Sequence, residues 1–279
     1  MNVERPNEKT RPYVLGHSES ELSRLERQAA FYSATTEDVL RRAGIGPGMR
    51  VLDIGCGVGD VAMLAAKLVG AEGAVLGVDR SERALDAARA RAARAGFSWA
   101  RFEATDFMEL RPEGRFDAVT GRMILMYMAD PAETLRHLAG LVRPGGTLAF
   151  VEIDVSSAGA VPELPLFREN LERIVDIYRH VGIEPNMGSK LFGAFRAAGL
   201  DPELAGTMLI EGGPNAAVYD YLAETVRSLL PRMAEFGLVA ENEVGIETLS
   251  DRLRRAAVEG GHCLMYPRLI GAWARTPAG

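Results

Sequence analysis

A short apolar segment that runs straight into three alternate glycines restricts this chain more than any other feature. Residues 51–60 read V-L-D-I-G-C-G-V-G-D, and a helical pattern follows at once. Glycine reaches backbone angles closed to other residues and lets a ligand lie directly on the main chain. In an open sheet of alternating strands and helices, ligands sit beyond the carboxyl ends of the strands. The segment therefore predicts a first strand, Val51–Ile54, that delivers a ligand cradle at Gly55–Gly59. Taken alone, such a turn is equally a tight strand-to-helix connection, so the rest of the chain has to agree with it.

The pattern downstream agrees. Further strands are expected at Ala74–Asp79, Ala100–Ala104, Phe116–Thr120 and Thr147–Ile153. Between them lie helical stretches over Val61–Val69, Glu82–Ala95 and Pro131–Val142, the last opened by Asp130 as cap and Pro131 in the first turn. Apolar strands alternating with helices of this length imply a parallel sheet covered on both faces. The expected class is α/β: a doubly wound, mostly parallel, seven-stranded Rossmann-like sheet with an inserted helical cap.

Past Asp154 the rhythm loosens. An amphipathic helix is expected over 163–182, with Phe167, Leu171, Ile174, Tyr178 and Val181 along one stripe. A short helix follows at 189–198, a strand at Gly206–Glu211, helices at 216–236 and 246–258, and a final strand over Cys263–Ala274. Upstream, residues 1–12 read as an arm. Ser18 and Glu21 have capping-box spacing before a helix carrying Leu22, Leu25, Ala29 and Tyr32, and a short helix runs from Thr36 to Ala43. The expected organisation is an arm and lid helix over 1–35 and one domain over 36–279, with cap helices at about 155–185 and 215–260.

Composition narrows the function. A net charge of −6 over 279 residues argues against a general nucleic-acid binder. No apolar run spans a bilayer, so no membrane partner is expected. The polar N-terminal stretch lacks a signal core, so the expected location is cytoplasmic. Cys56 and Cys263 fit no metal or redox spacing, and no metal is expected. Homodimerisation is left open.

The ligand follows from two carboxylates. Asp79 ends the second strand, at the distance where an acidic residue meets ribose hydroxyls and would repel a 2′-phosphate. Asp53 stands just before the glycine turn. A dinucleotide turn spaces its glycines as G-x-G-x-x-G and presents a helix N-terminus to a pyrophosphate. Here G-C-G-V-G is one residue tighter, and an anion at 53 suits an ammonium better than a pyrophosphate. The balance favours S-adenosylmethionine (product S-adenosylhomocysteine) over NAD.

At this point the chain resembles the class I S-adenosylmethionine-dependent methyltransferases, close to the ubiquinone/menaquinone-biosynthesis C-methyltransferase-like small-molecule enzymes. The resemblance rests on V-L-D-I-G-C-G-V-G-D, V-L-G-V-D-R-S (75–81), E-A-T-D-F (103–107), F-D-A-V-T-G-R-M-I-L-M-Y-M-A-D-P (116–131) and L-V-R-P-G-G-T-L-A-F-V-E (141–152). It covers about residues 36–154. It implies that Gly55, Gly57 and Gly59 cradle the methionine part, with Cys56 beside them, and that Asp53 holds the amino group. Asp79 is implied for the ribose, Arg80, Asp106 and Phe107 for the adenine, and Gly121, Arg122 and Met123 for the ammonium end. Arg122 departs from the small or neutral polar residue usual there; a grip on the cofactor carboxylate and a surface or ion-pair role are both open. Tyr13 and Gln28 are candidate lid contacts.

Methyl transfer needs a base only if the acceptor must lose a proton. The candidates are Glu152 and Asp154 at the end of the fifth strand, and His17, His180 and His262, each of which has an ordinary structural alternative. His137 reads as solvated. The stretches M-I-L-M-Y-M and F-R-E-N-L-E-R-I-V-D-I-Y read as core or pocket wall for an apolar small molecule. The leading function is methyl transfer to a small organic acceptor. A non-transferring cofactor-binding subunit and an NAD-dependent oxidoreductase are the alternatives.

Overall fold

A computed structural model describes residues 32–240 and 243–278. The expected arm, the helix from Ser18 and the candidates Tyr13, His17 and Gln28 lie outside the described residues. A helix over 32–42 (α1) leads into the alternating region. In order this runs β1 Arg50–Ile54, α2 Asp60–Val69, β2 Ala74–Asp79, α3 Glu82–Ala95, β3 Ala100–Ala104, β4 Phe116–Arg122, α4 Pro131–Ala139 and β5 Val142–Asp154. Then come β6 Gly159–Val161, α5 Pro165–His180, α6 Met187–Ala197, β7 Glu203–Thr207, β8 Ile210–Gly212, α7 Val218–Glu235, α8 Leu249–Glu259, β9 Cys263–Met265 and β10 Arg268–Arg275.

Seven strands form one sheet in the order β3-β2-β1-β4-β5-β10-β7. The first five pair in parallel, while β10 runs antiparallel to both β5 and β7. Strand order reverses between β1 and β4, which sets the ligand edge at the end of β1. Val51, Leu52 and Ile54 are wholly buried, as expected of a central strand covered on both faces. The helix starts are written locally. The Ser81 hydroxyl accepts from the Ala84 amide at the head of α3, and Asp130 accepts from the Glu133 amide ahead of Pro131 in α4.

Helix α4 stops at Ala139, short of the expected Val142. Gly140 ends it, and Val142 already pairs with Phe116 in the sheet. The two late strands are each divided. The expected Gly206–Glu211 strand splits at 208–209 into β7 and β8, which join different sheets. The expected Cys263–Ala274 strand breaks at Tyr266–Pro267, because proline has no amide to donate to a ladder. These breaks create a second, three-stranded antiparallel sheet, β6-β9-β8, which the sequence did not disclose. Helix α5 packs on α7 above the carboxyl edge of the main sheet. No helix among the described residues is long and apolar enough to cross a membrane.

Candidate functional site

The glycine turn floors a cavity of about 370 Å³, within the usual range for small-molecule sites. Two of its glycines do different work. Gly55 has φ +59°, and a β-carbon there would lie 2.6 Å from Ile124 Cδ1, so it makes room for the neighbouring turn. Gly57 has φ +51°, lines the cavity, and has nothing within 4 Å of where a β-carbon would stand. It leaves open main chain facing the cavity.

Asp79 closes one side. Its Oδ2 accepts from the Gly57 amide at 2.9 Å and its Oδ1 from the Ser81 amide at 2.9 Å, so the carboxylate is fixed at the cavity wall. Each oxygen keeps a further lone pair for a ligand hydroxyl. Arg80 and Phe107 also reach the wall. Asp106 does not: its oxygens accept from Arg80 at 2.6 Å and from the Met108 amide at 3.0 Å. Its neighbours Thr105 and Phe107 line the cavity in its place. Gly59 packs against Ala88 and Phe102 at the head of α2, and Gly121 against Ile124 and Phe150; both shape the site from behind.

Asp53 lies behind the turn, 1% exposed, and neither of its oxygens has a hydrogen-bond partner of ordinary geometry. Burial pushes its carboxyl pKa well up, while the Arg122 charge and the Ala62 amide pull it back. The facing Thr120, its register partner on β4, has an equally unpartnered buried hydroxyl. A carboxyl buried with so little support is costly to ionise unless a cation or a further donor arrives. Asp53 is absent from the cavity wall, so the surfaces that meet a ligand here are the open main chain at Gly57 and the fixed Asp79, which fit a ligand bearing a ribose.

Arg122 lines the cavity and pairs with Asp60 at 3.2 Å. Asp60 also faces Arg91 at 2.7 Å, and Arg122 donates to the Thr36 hydroxyl at 3.3 Å. Burial lowers the guanidinium pKa; Asp60 and Asp53 counter that. The ion-pair alternative is thus realised, and it is a buried pair. Met123 sits at φ +52°, a backbone conformation unusual for a side-chain-bearing residue, with its amide bonded to Val151 O at 2.9 Å. Cys56 lines the cavity, but burial and the nearby Asp53 and Asp79 push its thiol pKa well up, which suits a small packing residue rather than a nucleophile.

None of the described candidates for a base reaches the cavity. Glu152 is fully buried, and its Oε1 accepts from the Ile124 and Leu125 amides at 2.9 and 2.7 Å. It holds the turn that carries Ile124 to Met128 into the wall. Asp154 accepts from the Ser189 amide at 2.8 Å and the Ser189 hydroxyl, and pairs with Arg268 at 3.3 Å. It caps α6 from the neighbouring strand. Asp154→Ala is expected to cost about 1–3 kcal/mol in urea unfolding, since it leaves the Ser189 amide and hydroxyl at the head of α6 without their acceptor. His180 is exposed against the Phe236 ring, and His262 Nδ1 is bonded to Pro162 O at 2.7 Å. His137 is half-buried, with Nε2 enclosed and unpartnered, not solvated as its sequence position suggests.

The rest of the wall is partly as expected, from the two stretches read as core or pocket wall, and partly new. Asp60, the last residue of the glycine motif, had no expected role. Met126, Tyr127 and Met128 come from the M-I-L-M-Y-M stretch, and Phe167, Leu171, Ile174 and Tyr178 from the α5 stripe. Tyr221 and Tyr266 were unforeseen. The Tyr221 hydroxyl meets that of Tyr32 at 2.7 Å, which ties α1 to α7 behind the wall.

Residues 45–185 match the family described as a methyltransferase domain. The chain belongs to the methyltransferase family. A ubiquinone biosynthesis O-methyltransferase of Bordetella bronchiseptica is 32% identical over 189 residues, covering 66% of this chain and 74% of that one. A 2-phytyl-1,4-naphtoquinone methyltransferase of Synechococcus elongatus is 40% identical over 111 residues, or 38% of this chain. That match spans about half of the relative, 47% of its length. Among solved structures, the YcgJ protein of Bacillus subtilis superimposes with a TM-score of 0.59 at 20% identity, covering 88% of this chain and 100% of that one. At that identity the likeness is one of fold.

Proposed function

We propose that this methyltransferase moves a methyl group from S-adenosylmethionine to a small organic acceptor in the cytoplasm. The observation that carries the reading is the open main chain at Gly57, set beside a carboxylate fixed by that same residue's amide. In this reading Gly55, Gly57 and Met123 frame the methionine end, with Gly59 and Gly121 shaping the turn behind them. Asp79 binds the ribose hydroxyls. Arg80, Thr105 and Phe107 flank the adenine, and Asp106 holds Arg80 in place.

Asp53 and Arg122 address the amino-acid tail. Asp53, already buried, gains a cationic partner across the turn, and Arg122 exchanges part of its pairing with Asp60 for a carboxylate it can bind through two donors.

Bound S-adenosylmethionine supplies an activated methyl on a sulfonium sulfur. The protein's part is to align the acceptor for in-line attack and to exclude water. The Met126–Met128 turn and the α5 stripe do this by walling the cavity with apolar side chains.

The test is transfer of an isotope-labelled methyl into fractionated metabolites, with calorimetric binding of S-adenosylmethionine beside it. Asp79→Ala is expected to weaken cofactor binding about 100- to 1000-fold, the loss of two hydrogen bonds to a charged group. Tighter binding of NAD than of S-adenosylmethionine would end the reading. A second reading, a cofactor binder without transfer, draws on one observation. Among the described residues, no carboxylate, imidazole or amine lines the cavity away from the glycine turn. Cofactor binding with no labelled product would favour it.

A further inference from the structure

The cavity is chemically divided. Its charged wall residues, Asp60, Asp79, Arg80 and Arg122, all lie at the glycine-turn end. The opposite end is built from α5, α7 and the Tyr266–Pro267 break, and among the described residues it carries no charge. Its Thr225 hydroxyl is bonded back to Tyr221 O at 2.8 Å, and the Tyr221 hydroxyl to that of Tyr32. An acceptor carrying a carboxylate or phosphate would be buried here without a counter-charge, at several kcal/mol. An uncharged ring compound would lose only apolar hydration.

One side chain outside the cavity fixes this end. Glu211, on β8, is absent from the wall, yet its Oε2 accepts from both the Val218 amide at 3.0 Å and the Tyr266 hydroxyl at 2.9 Å. Val218 is the first residue of α7, and Ala217 ahead of it offers no side-chain cap. A single carboxylate oxygen thus caps α7 and anchors Tyr266, two parts of the same wall, with the helix dipole favouring its charge. Tyr266 is wholly buried, and its ring lies 5.2 Å from that of Tyr221.

We propose that the α5–α7 end is a preformed chamber for an uncharged, predominantly apolar ring compound, and that Glu211 is the positioning residue that keeps it formed. This takes the acceptor side of the cavity from the function proposed above.

The neutral fluorophore N-phenyl-1-naphthylamine serves as probe of the full chain at pH 7, displaced by 1-naphthol, 1-naphthoate or 1-naphthyl phosphate. The probe binds, and Leu222→Asp, which puts a charge on the α7 face of the chamber, abolishes that binding while S-adenosylmethionine affinity holds. Neutral 1-naphthol displaces the probe at least about tenfold more tightly than either anion. An anion that competes equally well, a probe that does not bind, or binding that survives Leu222→Asp overturns the chamber.

For Glu211, alanine weakens probe binding about tenfold while S-adenosylmethionine affinity stays within about twofold; glutamine, which still accepts both bonds, restores most of the loss. Unchanged probe affinity in Glu211→Ala, or equal weakening of both ligands, overturns the positioning role. If the probe binds as described but S-adenosylmethionine does not, the proposed function fails and the chamber stands.

Discussion

Leucine at position 57 is expected to abolish cofactor binding and leave the fold standing, whereas alanine at 55 damages the fold first. Both residues hold positive φ, so any side chain costs about 1–2 kcal/mol in backbone strain at either place. The difference lies in what the new atoms meet. At 57 they enter open cavity, where nothing of the protein lies within 4 Å. Calorimetry of Gly57→Leu with S-adenosylmethionine is expected to show no binding, a loss beyond about 1000-fold, because the side chain fills the ligand's place on the main chain. At 55 even a methyl group overlaps Ile124 at 2.6 Å, which adds about 1–3 kcal/mol of overpacking to the strain. Urea midpoints of the two variants check the contrast. If Gly57→Leu binds the cofactor as the parent does, the ligand does not lie on this turn.

The second large effect is on stability against pH. Burial raises the Glu152 carboxyl from 4.5 to about 8, even though the Leu125, Ile124 and Met126 amides favour its anion. The unfolded chain releases this proton near 4.5, and the folded one holds it to about 8. Across that window the native state binds more protons, so stability is greatest at the acid end and falls as pH rises toward 8. The fall is about 4–5 kcal/mol for this group. Glu152→Gln keeps an oxygen for the Ile124 and Leu125 amides and has no proton to lose. It is expected to flatten the curve between pH 5.5 and 9 and to match or exceed the parent at the alkaline end. Asp53 shifts in the same direction, so part of the slope persists. Urea unfolding at the two pH values measures it; an unaltered slope would mean that Glu152 is already ionised in the folded protein.

The central sheet was legible because its signals are local. Apolar runs, a glycine turn and caps at Ser81 and Asp130 sit within a few residues of what they determine; the elements from β1 to β4 fall close to expectation, while β5 begins at Val142 rather than Thr147. The second sheet was not legible, since β6, β8 and β9 are three residues each and carry no periodicity. Their existence depends on where Pro267 interrupts one strand and on which neighbour each fragment finds.

The site divided along the same line. Gly57 and Asp79 announce themselves by type and spacing. Glu152 and Asp154 stand at the end of β5, where a base would stand, and look catalytic in one dimension. In space both turn away from the cavity to satisfy amides of the next turn and helix. Glu211 gave no signal at all, because its partners Val218 and Tyr266 are brought to it only by folding.

The placement of β10 also bears on synthesis. Arg268–Arg275 occupies the gap between β5 and β7, paired with β5 from Asp154 to Thr147. Until those residues leave the ribosome, two bare ladders face each other with no strand between them, while the helices around them are already made. Unfilled edges of this kind pair readily with other chains. A nascent or truncated form ending before Arg268 therefore exposes unpaired strand edges that favour aggregation.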